Sequence, residues 1–143
     1  MGSGIAEVAA RAGCDVAAKR GRERIERSLA TAVGRGKLTA EERDRAADLI
    51  QVIDDYDALA DRDLVVEAVI ESEPAKVAVF QLVDGVVESP EAVLASNTSS
   101  IPIVRLATAT NRPDRVLGMH FFNPAPVQPL VELIPALTTD PKV

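Results

Sequence analysis

Residues 63–70 read DLVVEAVI, an apolar run that is almost unbroken. A strand buried on both faces of a parallel sheet has such a composition, whereas a strand with one solvated face alternates. Residues 92–96, AVLAS, and residues 115–122, RVLGMHFF, form two further runs of this kind. Helical patterns over 74–87 and 101–107 separate the three runs. Strands alternating with helices predict an α/β fold that is doubly wound around a mostly parallel sheet.

The residues before the first of these runs have helical patterns. Residues 4–12 predict one helix, which Gly13 ends because glycine readily adopts the left-handed conformation. Residues 17–35 predict a second helix. A third begins at Thr39, where Glu42 stands three residues on and completes a capping box. Only two short strand signals, over 14–16 and 51–53, interrupt this helical region.

Polar residues follow the three predicted strands at the point where each strand ends. Glu71 comes after the first strand, Ser99 after the second and Asn123 after the third. Open α/β sheets bind their ligands beyond the carboxyl ends of the strands. Two prolines after Asn123 cannot continue a ladder, so the chain must turn there, and residues 127–134 run back as a final strand.

Composition restricts the classes of partner. The chain has 143 residues, 16 basic against 22 acidic, and a net charge of −6, which argues against nucleic-acid binding. No apolar run approaches the roughly 18 residues of a membrane span, and residues 1–4 do not resemble a signal peptide. The single cysteine, Cys14, at a predicted helix–strand junction, fits a reducing compartment. We expect a cytoplasmic protein with no nucleic-acid or membrane partner, and we assign no metal ligands.

Positive charge is concentrated in one stretch of this acidic chain. Seven basic residues fall between positions 19 and 37: Lys19, Arg20, Arg22, Arg24, Arg27, Arg35 and Lys37. One interpretation is a solvated helix face with intrahelical ion pairs such as Glu23 with Arg27. The other is a binding surface for a polyanionic ligand. The residues alone leave both open.

His120 is the only histidine, and it stands near the end of the third predicted strand. Oxidation of an alcohol to a ketone needs a base that removes the hydroxyl proton as hydride leaves the carbon. A carboxylate beside the imidazole would fix its tautomer, and the turn after Asn123 allows Glu132 to lie there. A structural histidine at a strand end is the alternative, and composition does not decide between them.

Three motifs resemble the short-chain L-3-hydroxyacyl-CoA dehydrogenases in order and spacing, above all the bacterial 3-hydroxybutyryl-CoA dehydrogenases. They are SNTSS at 96–100, HFFNPAP at 120–126 and LVE at 130–132. The resemblance implies a Rossmann-type domain over residues 1–143. It also implies NAD-dependent oxidation of (S)-3-hydroxyacyl-CoA, in particular 3-hydroxybutyryl-CoA, to 3-oxoacyl-CoA, as in fatty-acid β-oxidation or butanoate metabolism.

The resemblance also implies a role for each catalytic candidate. His120 would be the catalytic base and Glu132 its charge partner. Ser99 would hydrogen-bond the 3-oxygen of the substrate and contact the cofactor. Asn123 would lie at the nicotinamide.

The resemblance further assigns residues to the cofactor and to coenzyme A. Met1 and Gly2 would contact the dinucleotide, with Gly2 matching the third glycine of the family's fingerprint. Glu71 and Lys76 would lie on the nicotinamide ribose side. Ser28 and Arg35, in the basic stretch described above, match family positions that meet the CoA moiety, so both would contact CoA.

The chain departs from the family pattern at its start. The first strand and the first two glycines of the fingerprint are missing, and the second strand stops at Val16 where Ala17 begins a helix. We therefore expect a break between Val16 and Ala17, with Cα atoms clearly more than about 3.8 Å apart. The acid that would select NAD over NADP should follow that strand, so NAD is expected by resemblance and NADP stays open.

A departure at the other end concerns assembly. Relatives continue into a helical domain that forms a homodimer and completes the substrate site, and this domain is absent from the 143 residues. We expect a homodimer formed through that domain. Two alternatives to the acyl-CoA activity remain: a related hydroxyacid or gulonate-type dehydrogenase that shares the histidine motif, and a non-catalytic structural relative.

Overall fold

The structure, a computed structural model, describes residues 1–19 and 21–143. The chain divides into two compact units. Unit 1 comprises Met1–Asp55 and Asn123–Pro129, and unit 2 comprises Tyr56–Phe122 and Leu130–Val143. No helix among the described residues is both long enough and apolar enough to cross a membrane.

Unit 1 consists of three helices and a two-stranded parallel sheet. Its elements are α1 (Gly2–Arg11), β1 (Val16–Ala18), α2 (Arg22–Gly34), α3 (Ala40–Asp48) and β2 (Ile50–Val52). Small side chains on α1, Ala6 and Ala10, pack against Ile25 and Leu29 of α2 and form the core of this unit. The predicted capping box of α3 is confirmed, because the Glu42 N–H donates to Thr39 Oγ1 at 3.1 Å.

Strand β1 corrects one prediction. Residues 17–35 were expected to be helical, but Ala17 lies within β1 and α2 begins only at Arg22. Val16, Ala17 and Ala18 pair with three consecutive residues of β2 in unbroken register. The break expected between Val16 and Ala17 stays a prediction, since the register of β1 does not measure the distance between their Cα atoms. Packing against the core of unit 1 overrides the helical propensity of the two alanines. Arg20 lies outside the described residues.

Unit 2 contains a four-stranded sheet with helices in its connections. Its elements are β3 (Leu64–Glu67), α4 (Glu73–Val86), β4 (Val93–Ser96), α5 (Ile103–Ala107), β5 (Val116–Phe121) and β6 (Val131–Pro135), with short 3-10 helices at Tyr56–Leu59 and Pro113–Arg115. The strand order is β3-β4-β5-β6, and only the β5–β6 pair is antiparallel. The predicted α/β class with mostly parallel strands is confirmed. The described strands form two sheets, however, where the sequence predicted one.

The burial predicted for residues 63–70 is only partly correct. Strand β3 spans just four of these residues, and Leu64 and Ile70 are 44% and 73% exposed. The physical reason is that β3 lies at the edge of its sheet and has a single strand neighbour. The central strand β4 fits the expectation better, because Leu94 and Ala95 are almost fully buried.

Candidate active site

His120 and Glu132 face each other across the antiparallel pair of strands in unit 2. They are register partners of β5 and β6, as the turn after residue 122 predicted. His120 Nδ1 lies 2.8 Å from Glu132 Oε2. A carboxylate can only accept, so Nδ1 carries the hydrogen and Nε2 presents its lone pair. The arrangement leaves one imidazole nitrogen available as a base.

The surroundings of His120 restrict its ring while leaving it accessible. The His120 ring lies 4.9 Å from the ring of Phe122, centroid to centroid, in a tilted arrangement. The side chain of His120 is 20% exposed and that of Glu132 is 49% exposed. The pair therefore lies at the surface of unit 2, near the carboxyl end of β5, where a ligand can reach it.

The loop after β4 brings Ser99 to the surface of unit 2. Asn97 Oδ1 accepts from the Phe121 N–H at 2.8 Å, which ties the loop to the strand that carries His120. Thr98 is buried, and its hydroxyl oxygen accepts from the Ile101 N–H at 3.0 Å. Ser99 itself is exposed. Asn97 and Thr98 thus anchor the loop to unit 2, whereas Ser99 is left exposed to solvent.

Lys76, which the resemblance assigns to the nicotinamide ribose side, is buried in unit 2. Its ammonium lies 2.9 Å from both carboxylate oxygens of Glu67 and 3.4 Å from Glu71 Oε2. The side chains of Lys76 and Glu67 are 1% and 2% exposed, whereas that of Glu71 is 40% exposed. The predicted pair Glu71 and Lys76 is therefore brought together, but Glu71 is the member that reaches the surface.

Sequence analysis missed Glu67. Its carboxylate accepts from the Ser96 hydroxyl at 2.7 Å and from the Val69 N–H at 2.5 Å, in addition to Lys76. A signal was present, since a glutamate inside an apolar run must find partners if the run is buried. The lysine nine residues on was the available cation.

Glu71 is held in its charged form. Its Oε1 accepts from the Thr98 hydroxyl, from the Ser99 N–H at 3.1 Å and from the Ser100 hydroxyl at 3.2 Å. Burial opposes ionisation, but the Thr98 hydrogen bond and the charge of Lys76 outweigh it and lower the pKa of Glu71 to about 2. The carboxylate that organises the Ser99 loop is thus ionised throughout the neutral range.

Unit 1 contains a cavity of about 240 Å³. Three residues assigned by resemblance line it: Met1, Ser28 and Asn123. The N-terminus of α1 opens beside Met1, and its first turn carries no acidic residue, which suits a negatively charged group such as a phosphate. Gly4 allows the chain to approach closely here, because a Cβ would lie 3.2 Å from Pro126 Cδ.

Two other residues assigned by resemblance do not line the cavity. Gly2 is exposed in the first turn of α1, and Arg35 is exposed at the C-terminal cap of α2. The basic stretch contains an intrahelical ion pair, and its binding role stays a prediction. Arg22 forms an intrahelical ion pair with Glu26 at 3.6 Å, in place of the expected pair between Glu23 and Arg27, while Arg24 lines the cavity.

Cys14 lies at the junction of α1 and β1, as the sequence predicted, but it is exposed. The described residues contain no group of three or more histidine, cysteine, aspartate or glutamate side chains that could bind a metal ion.

Parallel strands with helical connections define an α/β domain, and domains of this kind often bind nucleotides beyond the carboxyl ends of their strands. The comparison with family models then gives the family. Residues 1–143 match the 3-hydroxyacyl-CoA dehydrogenase, NAD binding domain. The chain belongs to this family, which confirms the resemblance and does not favour the gulonate-type alternative.

Individual relatives agree with this assignment. The chain is 55% identical to 3-hydroxybutyryl-CoA dehydrogenase of Mycobacterium tuberculosis, over 98% of this chain and 52% of that protein. The crystal structure of M. tuberculosis FadB2 superposes with a TM-score of 0.93 at 54% identity, covering 97% of this chain and 52% of that one. For (S)-3-hydroxybutyryl-CoA dehydrogenase PaaH1 from Ralstonia eutropha the TM-score is 0.94 at 40% identity, covering 99% and 53%.

Two facts about length follow from these comparisons. The chain spans about half the length of the curated relatives it matches. The alignment with the M. tuberculosis enzyme extends over 148 residues, more than the 143 of this chain, so that relative carries residues that have no counterpart here.

Proposed function

We propose that the protein oxidises (S)-3-hydroxyacyl-CoA, in particular 3-hydroxybutyryl-CoA, to 3-oxoacyl-CoA with NAD+. The observation that carries the proposal is the 2.8 Å contact between His120 and Glu132 in a chain of the NAD-binding family. The names of the similar proteins supply the substrate class.

His120 acts as the general base in the proposed reaction. Glu132 accepts from Nδ1–H, which orients the ring and stabilises the positive charge that the imidazole gains when Nε2 takes the hydroxyl proton. Removal of that proton raises the electron density on the oxygen, and the C3–H bond breaks as the carbonyl forms. Ser99 donates its hydroxyl hydrogen to the same oxygen and so helps to orient the substrate.

NAD+ supplies the hydride acceptor when it is bound. The residues present fit such a group, because the N-terminus of α1 lies at the cavity of unit 1 and its first turn carries no acidic residue, although Glu7 of the second turn also lines the cavity. Met1, Gly2 and Asn123 would hold the cofactor there, and Glu71 and Lys76 belong to the same proposed set. Ser28 and Arg35 would contact the CoA moiety. NADP+ is the alternative cofactor, and the rates that NAD+ and NADP+ support are to be compared.

The wider biological setting is part of the same proposal. The relatives' names support a role in the metabolism of 3-hydroxybutyryl-CoA. We propose β-oxidation or butanoate metabolism as the pathway and the cytoplasm as the location. For the domains, we propose that residues 1–143 form the NAD-binding, catalytic domain. We propose further that the active enzyme is a homodimer assembled through a helical domain outside these residues.

The substrate proposal is tested with the intact protein and four reactants. Turnover of (S)-3-hydroxybutyryl-CoA, its (R)-isomer, free 3-hydroxybutyrate and gulonate is followed by the formation of NADH. We expect efficient turnover of the (S)-acyl-CoA alone, and NADP+ at equal concentration should support a lower rate. Preferential oxidation of a free hydroxy acid would overturn the substrate assignment.

A further inference from the structure

Glu7 is a buried acid whose hydrogen bonding is incomplete. It lies in the second turn of α1, and its side chain is only 1% exposed. Its Oε1 makes one long contact, of 3.5 Å, with Arg11 Nη1 of the same helix. Its Oε2 is also buried, and it accepts no hydrogen bond from the described residues. Burial of a carboxylate costs solvation energy that one long contact does not offset, so Glu7 lacks a donor that the chain's own packing does not supply.

A ligand in the cavity of unit 1 can supply that donor, because Glu7 lines this cavity. Rotation about the terminal bond of a glutamate side chain is soft, so a donor at the cavity wall can engage the carboxylate. The cavity, of about 240 Å³, is smaller than the roughly 300–1,000 Å³ of sites that enclose a whole drug-sized ligand. It therefore fits one part of a larger molecule. Beside a carboxylate, a neutral part with N–H or O–H groups is favoured over an anionic one.

The proposed substrate contains such a part. The pantetheine arm of an acyl-CoA is uncharged, carries amide N–H groups and a hydroxyl, and joins the phosphates to the thioester. The cavity is lined both by Ser28, which the resemblance assigns to the CoA moiety, and by Asn123, which it assigns to the nicotinamide. A substrate that contacts Ser28 and presents its reacting carbon at the nicotinamide must lead this arm along the cavity.

Glu7 lies apart from the cofactor contacts proposed on the same helix. An α-helix rises about 1.5 Å per residue, which places Glu7 roughly 7–8 Å along the axis from Gly2. Met1 and Gly2 occupy the start of α1, where the dinucleotide is proposed to bind, and Glu7 lies more than one turn further on. Its carboxylate is thus available to the substrate.

We propose that Glu7 accepts a hydrogen bond from an N–H or O–H group of the pantetheine arm, and that this contact favours acyl-CoA over free hydroxy acids. The inference rests on the proposed function, because it takes an acyl-CoA as the substrate. It assigns to the substrate a residue that the sequence motifs did not single out.

Glu7→Met tests the proposal in the intact protein, because it removes both oxygens and keeps an unbranched side chain of similar length. Calorimetry gives the dissociation constants of CoA and of pantetheine, and kinetics with NADH give KM for acetoacetyl-CoA. We expect all three constants to rise about 10- to 100-fold with kcat unchanged, as for loss of one charge-assisted hydrogen bond. Exposed Glu23 on α2 does not line the cavity, so Glu23→Met is the matched control and should bind like wild type.

The directions of the expected changes separate a ligand contact from other roles of Glu7. The chain has a net charge of −6 and CoA is polyanionic, so loss of one negative charge would by itself tighten CoA binding. An apolar side chain in place of an incompletely paired buried carboxylate should leave Tm unchanged or raise it. A purely structural glutamate predicts a lower Tm with wild-type dissociation constants, and that result would overturn the proposal.

Arg24 is the competing partner for Glu7, because it lines the same cavity and no ion pair is found for it among the described residues. If Glu7 acted only by holding Arg24 at the phosphates of CoA, Glu7→Met would weaken CoA binding alone. Pantetheine carries no phosphate, so its dissociation constant would then stay at the wild-type value. Equal factors for CoA and pantetheine support the contact with the arm, whereas a loss confined to CoA refutes it.

Glu7→Gln replaces Glu7→Met if the methionine variant does not fold. The amide keeps the shape of the side chain but loses the charge, which roughly halves the strength of the hydrogen bond. We expect both dissociation constants to rise at least about threefold, and unchanged constants would contradict the proposal. Calorimetry needs no turnover, so an active wild type whose binding does not depend on Glu7 refutes the inference alone. An inactive wild type whose pantetheine binding depends on Glu7 refutes only the proposed function.

Discussion

Replacement of Glu132 separates its two proposed roles, which are to orient the His120 ring and to stabilise the imidazolium that proton transfer produces. In Glu132→Gln the amide can still accept from His120 Nδ1–H, but it no longer stabilises the imidazolium. We expect kcat to fall by about 10- to 100-fold, less than for loss of the base itself. Steady-state kinetics of the intact protein measure this, with exposed Glu88→Gln as the charge-matched control. A wild-type kcat in Glu132→Gln would remove the carboxylate from the mechanism.

Arg35 allows a separate prediction at the residue scale. Its side chain is exposed at the end of α2, and the family resemblance places it at the CoA moiety. Arg35→Ala should raise KM for the acyl-CoA about 3- to 10-fold with kcat unchanged, because one charge-assisted contact is lost in ground and transition states alike. Arg43→Ala, which removes a partly exposed charge paired with Asp44 on α3, should leave KM unaltered. Equal KM changes in both variants would point to bulk charge and not to a contact.

Single residues differed in how well the sequence predicted them. The pairing of His120 with Glu132 could be predicted because two prolines force a turn and the antiparallel register then follows. Lys76 could not be placed, since a lysine near a helix start is ordinarily exposed. Its burial depends on Glu67, Ser96 and Glu71 meeting in three dimensions, which no local pattern records.

At the scale of elements, Gly118 on β5 is tightly constrained by its neighbours. A Cβ there would lie 3.0 Å from Ile103 Cδ1 of α5 and 3.0 Å from Ile134 Cβ of β6. Gly118→Ala should lower the free energy of unfolding by about 1–3 kcal/mol, because the Ile134 atom is fixed to its backbone and cannot move away cheaply. Urea unfolding measures the change. Gly85→Ala, in open space on α4, should be neutral or stabilising, and equal losses in both would contradict the packing argument.

The element boundaries show where local pattern reasoning fails. Helix α3 was predicted well because Thr39 and Glu42 satisfy the end of the helix within the sequence itself. Strand β1 was predicted to stop at Val16 because the two alanines and the lysine that follow favour a helix locally. Pairing with Ile50–Val52 makes β1 a strand, and that partner lies more than thirty residues away.

At the scale of the whole molecule, Asp84 links acid sensitivity to folding in unit 2. It accepts from Asn111 and from Arg112 Nε at 2.7 Å, and Arg112 also donates to the Ser89 and Val87 carbonyls. Burial raises the pKa of Asp84, but the hydrogen bonds of Asn111 and Arg112 outweigh it and lower that pKa below its ordinary 3.8. A folded-state pKa that lies below the unfolded value gives stability above pH 3.8 that is lost as the pH falls further.

Asp84→Asn should therefore reduce stability at neutral pH by about 2 kcal/mol. The difference from wild type should shrink as the pH falls below the ordinary carboxyl range, because wild-type Asp84 is then protonated too. Urea denaturation between neutral pH and the acid transition measures this. Asp44→Asn, which is exposed on α3, serves as the control and should follow the wild-type curve. A difference that grows on acidification would reverse the assigned sign.

The central claim is that His120 is the base of an acyl-CoA dehydrogenase. It is tested most directly by measuring turnover of (S)-3-hydroxybutyryl-CoA with NAD+ by the intact protein and by His120→Ala, with NADH affinity measured in parallel by fluorescence titration. We predict that kcat falls by about 100- to 10,000-fold while the NADH dissociation constant stays within a few-fold of wild type. Near-normal turnover by folded His120→Ala would contradict the account.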